Sequence, residues 1–584
     1  MTACIAFPEH SPEDLETWFP DVRPKPEEGT FELGLVLAGA VSAGAYTAGV
    51  LDFLYEALDT WYLARARGEA DVPSHDVVLR MITGASAGGM NGAISAAALR
   101  HGFPHPQGPG KPADRGDFRA DNPFWRVWVR EIDIRPLLDP TDLAAGIRSL
   151  LNCTRLLEIV RGVIDRPGAP VEDPRMRGWI ANPLTVLLTV TNLRGVPYQI
   201  VFSGEDRLRH EMSLHRDHVA FAVPGLGGRP PSPPVPAPDL VALPERASFR
   251  DPVWREFGMT ALATGAFPLF LEARKLRRVP DHYLYRHLTR HDGRVIYDSP
   301  AWPEDGPPSP YEYLCVDGGA MNNEPFELAR SALAGLHGRN PRAGDAACRA
   351  VVMVDPFSEP GVPGPCGDAS LTTVAGATFR ALINQARFTF RDRALIQDEM
   401  VYSRYMVAPR RSGIVGSMSL ASGGLGAFLG FFSEAYRHHD FMLGRRNAQR
   451  FLQTHLTLPE ANPLFRSWSE AARRRHRDPR RRDHLQLIPL LGKCAVEERI
   501  PVWPAGAFRR DDDLTRAIHT RIDAVLNRIR DDAIRDNVPR PFTAFAPLLA
   551  PVVLGLGPLI ARRKLKEKAV ESIDDAVRAI DRAP

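Results

Sequence analysis

The stretch Met81–Ala93, MITGASAGGMNGA, leaves this chain little freedom in local structure. Val77–Ile82 before it is mostly apolar and partly β-branched, which predicts a buried strand. Small residues follow, then Ile94–Leu99, which predicts a helix packed closely on a neighbour. Between strand and helix sits Gly84-Ala85-Ser86-Ala87-Gly88. Gly84 and Gly88 let the backbone turn sharply with no Cβ in the way, so Ser86 is pushed out at the carboxyl end of the strand. The first turn of the helix then offers unpaired N–H groups and the positive end of its dipole to any anion forming beside the serine. Strand, sharp turn and helix around G-x-S-x-G make Ser86 a candidate nucleophile. The competing reading is a small-residue turn that carries no chemistry.

Other strand-to-helix turns predict an α/β sheet around this one. Phe31–Leu37 reads as a first strand and runs into Ala38-Gly39-Ala40-Val41-Ser42-Ala43-Gly44, followed by a helix with Val50, Leu54 and Leu58 on one face. The spacing is not the G-x-G-x-x-G of a dinucleotide loop, and no phosphate-loop lysine follows. What remains is a turn of exposed N–H groups suited to an oxyanion, with Gly39 and Ala40 as donors beside Ala87 of the elbow. Leu184–Val190 and Gln199–Phe202 read as two strands joined by a turn at Asn192–Gly195. Residues 223–245 are Pro-rich and read as a rigid surface loop. Phe257–Phe270 reads as a small-residue helix ending in a Pro turn, and Tyr313–Val316 is a strand that delivers Asp317-Gly318-Gly319 at its carboxyl end. In open α/β sheets that edge is where sites form, so Asp317 becomes the candidate base for Ser86. Ala350–Pro356 is a further buried strand, and Phe379–Met400 reads as a helix.

Four of these features, taken in order, resemble the patatin-like phospholipases. Leu35–Leu51 resembles that family's oxyanion loop and following helix. GASAG matches its nucleophile at Ser86, and Asp317-Gly318-Gly319 matches its D-G-[GA]. Ala263–Pro268 resembles its small-residue helix ending in Phe-Pro. The resemblance covers roughly residues 30–410. It implies a three-layer α/β/α fold and a lipid acyl hydrolase working through a Ser–Asp dyad and an acyl-serine, with no cofactor and no metal. The substrate it implies is a phospholipid or another acyl-ester lipid. One departure stands out. The family's loop is usually Gly-Gly-Gly-x-Arg/Lys-Gly, whereas Gly39–Gly44 here has Ala40 and Val41 for glycines and Ala43 for the basic residue. Backbone N–H groups survive these changes. Two other readings stay open: a catalytically weak lipid-binding protein of the same fold, and a Ser-His-Asp esterase using a downstream histidine such as His337 or His438.

At 584 residues the chain exceeds one ordinary domain. The organisation expected is an N-terminal arm at 1–30, a catalytic region at 31–410 and a mainly helical C-terminal region at 411–584. A net charge of only +3 speaks against nucleic acid as a partner. The six cysteines form no C-x-x-C pair, which fits a reducing compartment, and the acidic N-terminus has no signal-peptide pattern, so a cytoplasmic protein is expected. Two uncharged stretches lie in the last third, Ser412–Ser433 with six glycines and Pro541–Ala561 with prolines at 547, 551 and 558. The second is long enough to span a membrane but is broken by proline, so an interfacial segment or ordinary core are the other readings. Arg473–Asp483 holds seven arginines, a solvated loop or a contact for anionic headgroups. Peripheral contact with a membrane surface is therefore expected. Leu565, Ala569, Ile573, Val577 and Ile580 recur at helical spacing near the end.

Overall fold

A computed structural model describes residues 26–106, 118–202, 209–232, 239–284, 286–289, 295–303, 306–334, 340–358, 381, 401–535 and 558–583. The fold is the α/β/α arrangement expected, a mostly parallel central sheet with helices, joined by a helical C-terminal region. The elements that matter for the site are, in chain order, β1 (Thr30–Leu37), α1 (Gly44–Ala66), β2 (Asp76–Gly84), α2 (Ser86–Ala98), α3 (Thr154–Asp165), β3 (Ile180–Val201), β4 (Arg209–Val223), β5 (Leu240–Ala242), α4 (Pro252–Thr264), β6 (Arg274–Arg278), β7 (Tyr311–Asp317), α5 (Phe326–Leu333), β8 (Arg349–Val354), β9 (Arg404–Val407), α6 (Glu434–Thr454), α7 (Asp512–Arg535) and α8 (Pro558–Arg582).

Among the described residues the main sheet has nine strands, seven of them in the order β9-β8-β1-β2-β3-β4-β5. From β9 to β3 every pairing is parallel. β8, β1 and β2 are covered on both faces, and their sequences are mostly apolar: all six residues of β8, RAVVMV, are buried, while β9 at the edge exposes Met406. β7 turns back along β3, pairing Asp317 with Val190, and β6 pairs with β7. Register does the work of bringing the site together. Gly84 at the end of β2 pairs with Leu188, two residues before the Val190 that pairs with Asp317. The chain ends that carry Ser86 and Asp317 thus meet at one edge.

The two strands predicted within 184–202 are one. β3 runs unbroken to Val201 against β4, with a register shift between Thr191 and Val196. The Asn-Gly turn chemistry is present but is used inside the strand. The Asn192 side chain accepts the N–H groups of Arg194 and Gly195, which makes a bulge rather than a reversal. The predicted helix Phe379–Met400 lies outside the described residues apart from a single helical position at 381, and Pro541–Ala561 lies outside them up to the start of α8.

α1 is buried on almost every side, packed along α6 and against α2 and the short helical segments at 123–125 and 174–177. The two helices cross at backbone contact. A Cβ on Gly444 would sit 2.2 Å from the Tyr46 carbonyl oxygen, and one on Gly49 would sit 1.9 Å from that of Phe441. The acids of α1 are neutralised at this crossing. Arg445, fully buried, pairs with Asp52, with Glu56 at 2.6 Å and with Glu498 at 2.7 Å, and Lys493 reaches Glu56 at 3.1 Å. One apolar core consequently runs across residue 410, from Leu51 and Phe53 of α1 to Phe441 and Leu443 of α6. Of the arginines between 473 and 483, Arg473 and Arg477 are tied to Glu460, both at 3.0 Å, while Arg474, Arg475, Arg480, Arg481 and Arg482 are exposed. Among the described residues no helix is long and apolar enough to cross a membrane.

Candidate active site

Ser86 opens α2 directly after β2 and has φ +51°, a left-handed conformation that a serine holds only where its surroundings enforce it. Two neighbours do so. Gly88 passes so close to β1 that a Cβ there would lie 2.0 Å from the Leu37 carbonyl oxygen. The Ser86 N–H donates to Thr264 Oγ1 at 3.0 Å, where α4 ends. The hydroxyl left projecting donates to Asp317 Oδ2 at 2.6 Å.

Asp317 is held just as firmly. Its N–H donates to the Ala266 carbonyl and the Gly318 N–H to that of Thr264, so the end of α4 braces both partners. Gly319 N–H donates to Asp317 Oδ1 at 2.7 Å. Burial pushes the Asp317 carboxyl up to about 6, opposed by the hydrogen bonds from Ser86 and Gly319. A carboxylate that ordinarily titrates near 4 is thereby moved toward the range where it can take a proton from a hydroxyl.

The turn after β1 lies alongside. Val41, a β-branched residue, sits at φ +48°, which shows why glycine suits this position. The Gly39 N–H donates to the Asn323 carbonyl at 3.3 Å, a long bond. Among the described residues the Ala40 and Ala87 N–H groups meet no backbone acceptor outside regular secondary structure, and Ala87 lies in the first turn of α2, where helix N–H groups have no partner within the helix.

Two cavities meet at Ser86. One, of about 330 Å³, is bordered by Gly39, Ala40, Asp317, Gly319 and Ala427. The other is a narrow apolar pocket of about 50 Å³ whose walls include Trp128, Ile132, Leu137, Leu156 and Phe428. Ala427 and Phe428 come from the uncharged, Gly-rich stretch 412–433. It folds over the serine as a strap. The Ser42 N–H donates to the Ala427 carbonyl at 3.2 Å, and the Phe428 ring meets those of Phe267 and Phe270 at 5.7 and 5.1 Å. The strap is fastened by Asp440 of α6, whose carboxylate accepts the N–H groups of Ala421 and Ser422 at 2.8 and 3.0 Å.

The structure therefore brings together Ser86, Asp317, Gly39, Ala40 and Ala87, with Gly84, Gly88, Gly318 and Gly319 forming the two turns. It does not bring His438 to the serine. That ring is half-buried, accepts the Trp125 indole N–H at 3.0 Å, and is held down to about 4 by desolvation. His337 lies outside the described residues. Thr264, Asn323 and Trp128 were not singled out from the sequence as site residues, and the stretch 412–433 stood out only as uncharged and Gly-rich, with no sign that it covers the serine. Of the three residues, Thr264 alone carried a signal, as part of the small-residue helix before Phe-Pro.

A family model described as "Patatin-like phospholipase" matches residues 35–330. The chain is 35% identical over 556 residues to the uncharacterized protein y4iI of Sinorhizobium fredii (strain NBRC 101917 / NGR234), covering 86% of this chain and 76% of that protein. Among solved structures, a match to VipD from Legionella pneumophila covers 95% of this chain and 90% of that one, at 11% identity and a TM-score of 0.24, too low to carry an argument.

Proposed function

The chain belongs to the patatin-like phospholipase family, and from that premise we propose that it hydrolyses fatty-acyl esters of phospholipids and lysophospholipids through a Ser86–Asp317 dyad. The family supports lipid acyl hydrolysis in general; the dyad rests on one observation, the 2.6 Å hydrogen bond from the Ser86 hydroxyl to a buried carboxylate where two cavities join.

In this reading Asp317 takes the hydroxyl proton as Ser86 Oγ attacks the ester carbonyl. The oxyanion is met by the N–H groups of Ala40 and Ala87, and by that of Gly39 once its bond to Asn323 is exchanged. Each such donor is worth about a hundredfold or more in rate. Protonated Asp317 then gives its proton to the departing alcohol, leaving an acyl-serine. Water attacks that ester with Asp317 again as base, releasing the fatty acid and restoring the hydroxyl. The apolar pocket takes the first few carbons of the acyl chain, and the wider cavity takes the alcohol side of the ester.

Peripheral membrane contact belongs to the same proposal. Leu269, Phe270, Met321 and Met418 are large, exposed apolar residues, and they neighbour Pro268, Ala320 and Ser417 at the edge of the wider cavity. Exposed apolar side chains around a mouth favour a lipid surface. The competing reading, a lipid-binding protein of this fold with little turnover, draws on the Gly39–Asn323 bond and on Ala43 where the family has a basic residue. Incubation with mixed phospholipid vesicles separates them. Fatty acid released by the protein and not by Ser86→Ala supports hydrolysis; binding of lipid with no release above that of the variant supports the other reading.

A further inference from the structure

The wall of the apolar pocket has a second side. Arg126–Glu131 forms a π-helical turn, and Ile134–Leu137 a short helical one. π-helical turns inside proteins collect at functional sites. Along this segment the residues divide by face. Trp128, Ile132 and Leu137 line the apolar pocket. Arg126, Arg130 and Arg135 line a separate, solvent-open cavity of about 880 Å³. α3 divides in the same way, Leu156 to the pocket and Arg155 to the open cavity, which Arg166 completes.

Five arginines thus face one cavity against two carboxylates, Glu131 and Asp133. Three of the five spend their charge at the surface: Arg135 on Asp511 at 2.9 Å, Arg155 on Glu158 at 3.0 Å and Arg166 on Asp121 at 3.2 Å. Exposed pairs of that kind are worth roughly 0–1 kcal/mol and exchange readily for a better anion. Arg130 is exposed and makes no ion pair among the described residues. Arg126 is the opposite case. It is 8% exposed, Glu131 takes only one of its terminal nitrogens at 2.6 Å, and its buried Nε–H has no hydrogen-bond partner among the described residues. A buried donor left unmet is costly, and a guanidinium fork is satisfied by an anion that offers two oxygens at once.

We propose that this cavity is a binding site for a phosphoryl group, held by Arg126, Arg130 and Arg166 on the far side of the acyl-pocket wall. The guanidinium fork matches phosphate oxygens in pairs, which a lone carboxylate such as Glu131 engages with one oxygen only. The cavity's size admits more than inorganic phosphate, so the bound group belongs to a phosphorylated lipid headgroup or to a free phosphorylated molecule. The site does not depend on the hydrolase reading, because none of its residues touches Ser86.

The test uses the full chain carrying Ser86→Ala, so that turnover plays no part. The variant Arg130→Gln/Arg166→Gln removes two exposed ligands without disturbing buried Arg126, and Arg250→Gln/Arg255→Gln removes the same charge from another exposed place. Two probes are used, inorganic pyrophosphate followed by calorimetry, and sedimentation with phosphatidylcholine vesicles with and without phosphatidic acid. Pyrophosphate binding that weakens about tenfold or more in the Arg130/Arg166 variant and not in the other identifies a free phosphoryl ligand. No pyrophosphate binding, but loss of phosphatidic-acid-dependent sedimentation in that variant alone, identifies a headgroup. If both variants behave alike with both probes, the proposal fails.

Discussion

Replacing Asp317 by asparagine should make the protein more stable at neutral pH while removing its proposed catalytic base. The carboxyl is buried and pushed up to about 6, so the folded state prefers it protonated. The gap from an ordinary aspartate, near 4, corresponds to about 3 kcal/mol. The sign follows from that order. Stability contributed by protonated Asp317 is complete below about pH 4, is lost as pH rises through about 6, and is absent above. Asparagine keeps the shape and stays neutral: its carbonyl can accept from Gly319 N–H while its amide donates to the Ser86 hydroxyl, preserving both contacts. Asp317→Asn should therefore match the wild type near pH 4 and exceed it by up to about 3 kcal/mol near pH 8. For a cooperative unit of this size, unfolding with an entropy near 2 cal/mol/K per residue, that is a rise of about 2–3 °C in Tm. Calorimetric scans of both proteins across this pH range read it directly, since other titrating groups cancel in the difference. A variant less stable than the wild type near pH 8, or a difference that does not change with pH, would refute the reasoning from burial.

Three further outcomes follow from the same structure. The rate of ester hydrolysis should climb as pH rises through about 6, where Asp317 becomes a carboxylate, and then level off; a profile in which Asp317→Asn keeps the same limb would assign it to another group. Arg445→Met removes the buried cation shared by Asp52, Glu56 and Glu498 and should cost roughly 3–5 kcal/mol in chemical denaturation, and a cost within the error of the measurement would count against the ion cluster as the lock between α1 and α6. Replacing the apolar residues of 541–557 by serine, which leaves α8 in place, should weaken sedimentation with anionic vesicles and activity on bilayers more than activity on a short soluble ester. The electrostatic part should fade as salt brings the screening length below roughly 8 Å; equal sedimentation would remove that segment from the proposed membrane contact.

Much of the catalytic region is legible in the sequence because its signals are local. A buried parallel strand needs a run of apolar residues, and a strand-to-helix turn tight enough to expose Ser86 needs glycine at the close approaches. Both leave their mark within a dozen residues, as at Val77–Ala93. Asp317 is readable for the same reason, at the end of its strand. The bulge at Asn192 misleads because the residues that close a hairpin also stabilise a bulge, and only the continued pairing of Val196 with Leu214 tells them apart. What stays hidden is contact across the chain. Thr264 meets Ser86 across 178 positions, and Ala427 meets Ser42 across 385. Nothing in the composition of 412–433 separates a strap over a serine from a membrane-facing segment, since both call for uncharged, Gly-rich chain. Its anchor, Asp440, lies on another element. The arginines around Arg126 are scattered over 41 positions, from 126 to 166, and become a group only when the π-helical turn and α3 set them on one side of a wall.

The account stands or falls on Ser86 as the acyl-accepting nucleophile. Treating the purified chain with a fluorophosphonate and locating the adduct by peptide mass spectrometry tests this directly. The account predicts one adduct, on the peptide containing Gly84–Gly88 and on the Ser86 hydroxyl, absent in Ser86→Ala and sharply slowed in Asp317→Asn. Labelling that persists undiminished in Ser86→Ala, or that falls on another residue, would contradict it.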